Sequence, residues 1–402
     1  MASPRVSVII PIHNAEKHLE QCLNSVLAQT EKDIEVICVN DSSTDATQAI
    51  LENRARLDSR VTVIAANCHC AGAARNLGME ASSGQYLSFL DADDFFEPEM
   101  LEECANILDK TAADIVVYGS WVYDTVTGIN RNAKWNLRTE LVPDKPVFSW
   151  RDMPHSIFNA FGNYTWNKLF RSSMVKEHNI RFQEIPRTND LLFTCMSLVE
   201  AANITIIDKS FTHYRINSNT SLQATNDKTP TAFLDAFIAL DRYLHDNGLS
   251  DVLTNSYLAH LLDGILANAN SVRSLQSLNE IKQAISDQIE PRYQLLTRHA
   301  EELNAKQLEQ YTNLLRLDLA DYLLARTHML TSEKNDLAGY TDWIEWRLWE
   351  EEERASNLEE KTKALESSLK RNSHPCTYRL AKLFEAPIKM LRKAQSSGRI
   401  NR

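Results

Sequence analysis

Val6–Ile10 is a short β-branched run closed by Pro11, the pattern of a buried strand. Leu19, Cys22, Leu23, Val26 and Leu27 then recur at the spacing of one helix face. Further strands are expected over Ile34–Val39, Val61–Ala65 and Tyr86–Leu90, with a helix over Ala73–Ala81 before the last. After the second strand comes Asp41-Ser-Ser-Thr-Asp45, a cluster of side chains that cap helix starts. Strand–helix alternation with nearly continuous apolar strands predicts an α/β fold, a mostly parallel sheet with helices on both faces. Ligands of such sheets bind beyond the carboxyl ends of the strands. That rule selects three polar loops, Pro11–Asn14, Asn40–Asp45 and Asp91–Asp94.

The pattern is mixed from about 114 to 225, with strands expected at Asp114–Ser120 and Ile204–Asp208. Beyond residue 226 it is helical: Phe233, Phe237, Leu240 and Leu244 form one stripe, and Leu308, Tyr311, Leu315, Leu319 and Tyr322 another. From Ile344 to Leu369 the positions at alternating spacings of four and three are apolar at all but Glu351 and Thr362, which suits a short coiled coil or a surface helix. The last segment sets Leu380, Leu383, Phe384, Ile388 and Leu391 among Arg379, Lys382, Lys389, Arg392 and Lys393. Such a basic amphipathic tail suits an anionic lipid surface, or equally the acidic body of the same protein.

Charge sharpens that contrast. The chain of 402 residues carries a net −11, but residues 361–402 carry +9 and residues 1–360 carry −20. An acidic body argues against nucleic acid as a partner. Gly-rich dinucleotide and P-loop fingerprints are both absent. The seven cysteines are odd in number and lack a Cys-x-x-Cys pair, so reduced thiols and a cytoplasmic location are expected. The apolar stretch at the N-terminus is too short for a signal peptide, and no run of 18 apolar residues occurs. Cys68-His69-Cys70 lacks the partner pair a structural zinc requires.

The most informative stretch is Ser88-Phe-Leu-Asp91-Ala-Asp93-Asp94, where an apolar strand delivers carboxylates to the ligand edge. Carboxylate oxygens suit hard cations such as Mg2+ or Mn2+, which clamp diphosphate oxygens. Helix capping accounts for only some polar groups of Asn40–Asp45, leaving Asp41 to accept from a ligand such as a uracil N–H.

Together, Val6-Ser-Val-Ile-Ile-Pro11-Ile-His-Asn14, Val39-Asn-Asp41-Ser-Ser-Thr-Asp45, Ala74-Arg75-Asn76 and Leu90-Asp91-Ala-Asp93-Asp94 resemble the family 2 inverting glycosyltransferases over residues 5–222. The resemblance implies a GT-A, Rossmann-like fold followed by a helical C-terminal region. It divides its span into a nucleotide-sugar half (1–112) and an acceptor half (113–225), after which the residue pattern gives a helical appendix (226–335), a segment suited to a coiled coil or a surface helix (336–370) and the tail (371–402). It places Pro11, His13, Asn14, Asp41 and Arg75 around the nucleotide, Asp91 near ribose and metal, and Asp93 on the metal. His13 stands where the family commonly has tyrosine, and Asn40 where it has an acid.

Downstream, Trp166-Asn-Lys168-Leu-Phe170-Arg171 and Thr188-Asn189-Asp190 also resemble family segments, and the resemblance makes Asp190 the catalytic base. Its neighbour Asn189 replaces the usual glutamate, which on electrostatic grounds should lower the pKa of Asp190. Trp166, Lys168, Arg171, Asn189, His213 and Arg215 are candidate phosphate or acceptor contacts. The implied activity moves a sugar from a nucleotide-sugar, such as a UDP-sugar, to a glycan or lipid-linked acceptor of a cell-surface polysaccharide. That chemistry would suit the inner face of a membrane, and a homo-oligomer is compatible with it. A sugar nucleotidyltransferase is the alternative enzyme, although Pro11–Asn14 lacks a triphosphate loop; a non-catalytic scaffold is the other.

Overall fold

The computed structural model describes residues 3–216, 226–297, 299, 303–329, 331–332 and 363. The heptad segment, apart from residue 363, and the basic tail lie outside them. Two compact units divide the chain, Met1–Tyr322 and Leu323–Arg402; the described residues at 323–329 of the second are helical.

The first unit is built on a nine-stranded sheet: β1 (Val6–Ile12), β2 (Ile34–Asp41), β3 (Val61–Ala66), β4 (Tyr86–Phe89), β5 (Phe95–Phe96), β6 (Ile115–Asp124), β7 (Asn130–Asn132), β8 (Lys168–Arg171) and β9 (Ile204–Ile216). The order is β3-β2-β1-β4-β8-β6-β9-β5, with β7 paired to β6. Strands β1 to β4 pair in parallel and β8 runs antiparallel between β4 and β6. The expected α/β class is therefore observed, as a mixed sheet. Val6, Val8, Ile9 and Ile10 are wholly buried, as a strand covered on both faces requires.

Helices α1 (Leu19–Leu27), α2 (Thr47–Leu57), α3 (Ala71–Ala81) and α4 (Met100–Thr111) fill the first half. The stripe of α1 is buried through Leu19, Cys22, Leu23 and Val26. Helix α2 begins only at Thr47: Asp45 Oδ1 accepts from the Thr47 N–H, while strand β2 runs on to Asp41. In the second half α5 (Ser172–Glu177) and α6 (Asn189–Glu200) precede β9.

Strand β9 is thirteen residues long, well past the expected end at Asp208. Asp208-Lys209-Ser210 interrupts its apolar pattern, but the register shifts against β6 around Gly119, and pairing resumes at Thr212. The helical region contains α7 (Ala232–Asp246), α8 (Ser250–Ser271) and α9 (Leu275–Ala284), continued by a π turn and a final turn to Tyr293, then α10 (Ala305–Arg316). Phe233, Phe237, Leu240 and Leu244 are all buried, as their spacing predicts. This region packs within the same compact unit as the sheet: Ser256 Oγ accepts from the Phe158 N–H at 2.9 Å.

Candidate active site

The carboxyl ends of β1, β2 and β4 converge, and hydrogen bonds join their loops. His13 follows β1; its Nδ1 lies 2.6 Å from the Asp41 carbonyl and must donate to it. That tautomer leaves Nε2 to accept from Asn14 Nδ2 at 3.1 Å. The imidazole is thus fixed and exposed, in a position to stack on a planar ligand. Asn14, with φ +49, turns the chain so that its Oδ1 accepts from the Thr44 N–H at 2.8 Å.

Asp41 ends β2 and is buried. Its Oδ1 accepts from the N–H groups of Cys68 and His69 at 2.6 and 3.0 Å, and its Oδ2 from Cys70 at 3.0 Å. A carboxylate has about four lone-pair sites, so one on Oδ2 remains for a ligand. Cys68-His69-Cys70 is therefore a backbone turn held by a carboxylate, with neither thiol in a disulfide and that of Cys70 donating to the Ile185 carbonyl at 3.1 Å.

The loop after β4 brings Asp91, Asp93 and Asp94 together. Burial, then the charge of Asp91, pushes the Asp93 carboxyl up to about 6. Burial, then the charges of Asp93 and Asp91, likewise pushes the Asp94 carboxyl up. Its Oδ1 accepts from the Arg215 N–H at 2.8 Å, while its buried Oδ2 has no partner. Among the described residues no group of three His, Cys, Asp or Glu closes around an ion. Crowded, desolvated carboxylates with open valence fit a hard divalent cation that takes its remaining ligands from a diphosphate.

Asp190 arrives from far along the chain, in the first turn of α6. The helix start, Arg75 and Lys168 favour its charged form, but burial outweighs them and raises the carboxyl to about 6, with Asp91 adding to the rise. The expected lowering beside a neutral Asn189 is thus overridden by desolvation.

Helix α3 seats the loop that leads into α6 and Asp190. Asn76 exchanges two bonds with the Phe182 backbone, at 3.0 and 2.9 Å. Gly72 lets the Gln183 carbonyl approach so closely that an added Cβ would lie 2.1 Å from its oxygen. Arg75, only 6% exposed, donates to Asn189 Oδ1 at 2.8 Å and to Asp91 Oδ1 at 2.6 Å. The guanidinium expected on the nucleotide thus joins the Asp91 loop to the first turn of α6. Asn189 is likewise committed inside the chain.

The remaining candidates need correction. Lys168 is neither a solvated surface residue nor a phosphate contact. It is wholly buried in β8 and gives its three protons to the Gly162 and Tyr164 carbonyls and Asn167 Oδ1, at 2.7, 2.8 and 2.7 Å. Burial lowers its pKa to about 7, against the pull of Asp190. Arg171 pairs with Tyr86 at the opposite end of the sheet and donates to the Ala113 carbonyl. His213 stacks on Phe95 and spends both ring nitrogens on Asn130 and Glu97. Arg215 donates to the Asp93 carbonyl and Gln21 Oε1, bracing the acidic loop from within.

Tyr164 and Tyr214 are residues the sequence did not single out. Trp166 is buried and stacks on Tyr214 at 5.5 Å and 10°. Burial raises the Tyr164 hydroxyl to about 12, and the charges of Asp190 and Asp91 add to that rise. Tyr164 stands two residues from Trp166 in the segment already noted; that proximity was the available signal.

Residues 7–178 match the family described as Glycosyl transferase family 2. The uncharacterized glycosyltransferase EpsJ of Bacillus subtilis is 28% identical over 299 residues, 70% of this chain and 86% of EpsJ. The poly(ribitol-phosphate) beta-N-acetylglucosaminyltransferase TarS of Staphylococcus aureus is 24% identical over 266 residues, 64% of this chain and 44% of TarS. The crystal structure of S. aureus TarS 1–349 in complex with UDP superposes with a TM-score of 0.51 at 20% identity, covering 77% of this chain and 90% of that one. The fold is therefore GT-A, a sheet that presents its ligand loops at one edge. Residues 7–178 match glycosyltransferase family 2, and the relatives that match across more of the chain are glycosyltransferases, as this chain is.

Proposed function

We propose that the protein transfers a sugar from a nucleotide-sugar, a UDP-sugar in our reading, to a hydroxyl of a glycan or lipid-linked acceptor, with inversion at the anomeric carbon. The observation that carries this reading is the coupling of Asp91 and the Asp190 helix through one buried arginine. A desolvated base and an acidic loop then share one rim. His13 offers a ring face for the base, and the free site on Asp41 Oδ2 suits an imide N–H such as that of uracil. The UDP held by TarS, a protein of the same fold, is in keeping with that choice.

Asp93, assisted by Asp91, would hold Mg2+ or Mn2+; the ion would supply positive charge against the leaving diphosphate. Asp190 takes the proton from the acceptor hydroxyl, and its elevated pKa brings it close to the operating pH of a general base. Arg215 and Arg75 keep the carboxylates of the two loops in place. Cell-wall polysaccharide is the product class we favour, since TarS glycosylates poly(ribitol-phosphate) by its name. UDP release measured over a panel of UDP-sugars with crude lipid and glycan acceptors tests the reading. Wild-type turnover and its loss in Asp93→Ala are expected; no UDP release with any donor would end it.

We also propose that the basic tail beyond residue 371 brings the enzyme to anionic lipid, where a lipid-linked acceptor resides. No helix among the described residues is long and apolar enough to cross a membrane. The full chain is expected to sediment with phosphatidylglycerol vesicles at low salt, and residues 1–360 to remain in the supernatant. Equal sedimentation of the two would rule the tail out as the anchor.

A further inference from the structure

The segment Gly162–Trp166 is fastened at several points without help from any ligand. Lys168 holds the Gly162 and Tyr164 carbonyls. The Thr194 hydroxyl donates to the Asn163 carbonyl at 2.8 Å, and those of Tyr118 and Thr212 donate to the Trp166 carbonyl, each at 2.8 Å. Thr194 lies four residues after Asp190 on α6, so both occupy the same helix face. The face that carries the base therefore adjoins the segment that carries Tyr164, whose hydroxyl senses the charge of Asp190.

On this footing stands an aromatic surface. Trp166 lies under Tyr214, and Tyr164 packs against Trp166 at 4.9 Å. Trp135, on a short 3-10 turn, meets Tyr164 edge-on at 5.3 Å and Tyr214 at 6.4 Å. It is 41% exposed. A cluster serving only as core would cover its largest ring and pair its polar atoms, yet the buried Trp166 indole N–H has no partner. Such an unmet donor typically costs about 1–3 kcal/mol. A part-exposed indole packed against Tyr164, the ring that feels the charge of Asp190, is suited to the C–H face of a sugar ring, which is apolar on one side and hydroxylated at its edge. The neighbouring carboxylates Asp91, Asp93, Asp94 and Asp190 disfavour an anionic acceptor at this spot.

We infer that Trp135, with Tyr164 and Tyr214, forms the acceptor subsite, and that it takes a neutral pyranose whose ring stacks on the indole and presents a hydroxyl to Asp190. This rests on the proposed transfer reaction for the role of Asp190, but binding to the subsite can be measured without turnover. Trp135 is a binding residue here, and its partial exposure makes its replacement tolerable to the fold.

The test uses the full-length protein and two readouts. Saturation-transfer NMR with cellotetraose and chitotetraose is expected to show contact in the wild type, loss in Trp135→Ala and retention in Trp135→Phe. In turnover assays Trp135→Ala should raise the acceptor KM about tenfold or more while the donor KM moves less than twofold. Failure of the wild type to bind either tetrasaccharide overturns the subsite even if UDP release is robust. So does a donor KM that rises in step with the acceptor KM. Tetrasaccharide binding that depends on Trp135, in a protein that releases no UDP from any donor, would keep the subsite and remove the transfer reaction instead.

Discussion

Asp190→Asn should lower kcat by about 10²–10⁴-fold, the range that a positioned general base contributes, and should abolish the acidic limb of the rate profile. In the wild type kcat/KM is expected to rise with pH and level off above about pH 6, because burial has lifted the carboxyl there from 3.8. The sign follows from the role: a base works only when deprotonated, so each unit below that value costs about tenfold. Stability runs the other way. A carboxyl with a folded pKa above its unfolded one binds more protons when folded, so its charging weakens the fold as pH climbs from about 4 to 6, and the penalty stays constant above that. Asp190→Asn should therefore melt at the same temperature as the wild type or higher at pH 7.5. A stable variant with impaired turnover separates chemistry from folding. An inflection near pH 4, or a variant within threefold of wild-type kcat, would remove Asp190 from the role of base.

The sheet and its rim were legible because the strands are short apolar runs and the polar residues that follow them fall at one edge. Asp91, Asp93, His13 and Asp41 could be placed by counting residues from the ends of strands. What could not be placed depends on contacts across long stretches of chain. The Arg75–Asn189 bond spans 114 residues, and no local pattern tells a guanidinium aimed at a ligand from one aimed at another loop. Lys168 was misread for a related reason. A charge normally signals the surface, and only the three acceptors gathered by the 162–167 turn make its burial affordable. Charge near the bulge also hid the second half of β9. Trp135 left no trace because a 3-10 turn has no apolar period to mark it.

Arg75 offers the sharpest separation between the two roles considered for it. Arg75→Lys keeps the positive charge but cannot span both partners, since an ammonium lacks the planar fork that reaches Asn189 and Asp91 together. If the guanidinium positions the base helix against the metal loop, the change should lower kcat by about 10²-fold, the cost of a displacement on the order of 1 Å at a reacting group. The donor KM should stay within about threefold on the same account, because His13 and Asp41, proposed to bind the nucleobase, are held by other contacts. A nucleotide-contacting arginine would give the opposite split, a raised donor KM with kcat nearly intact. Pairing Arg75→Lys with Asn189→Ala completes the case. The two residues share one hydrogen bond, so their effects on kcat should fall well short of additive. Fully additive losses would mean that Arg75 acts on catalysis by some route other than the Asp190 helix.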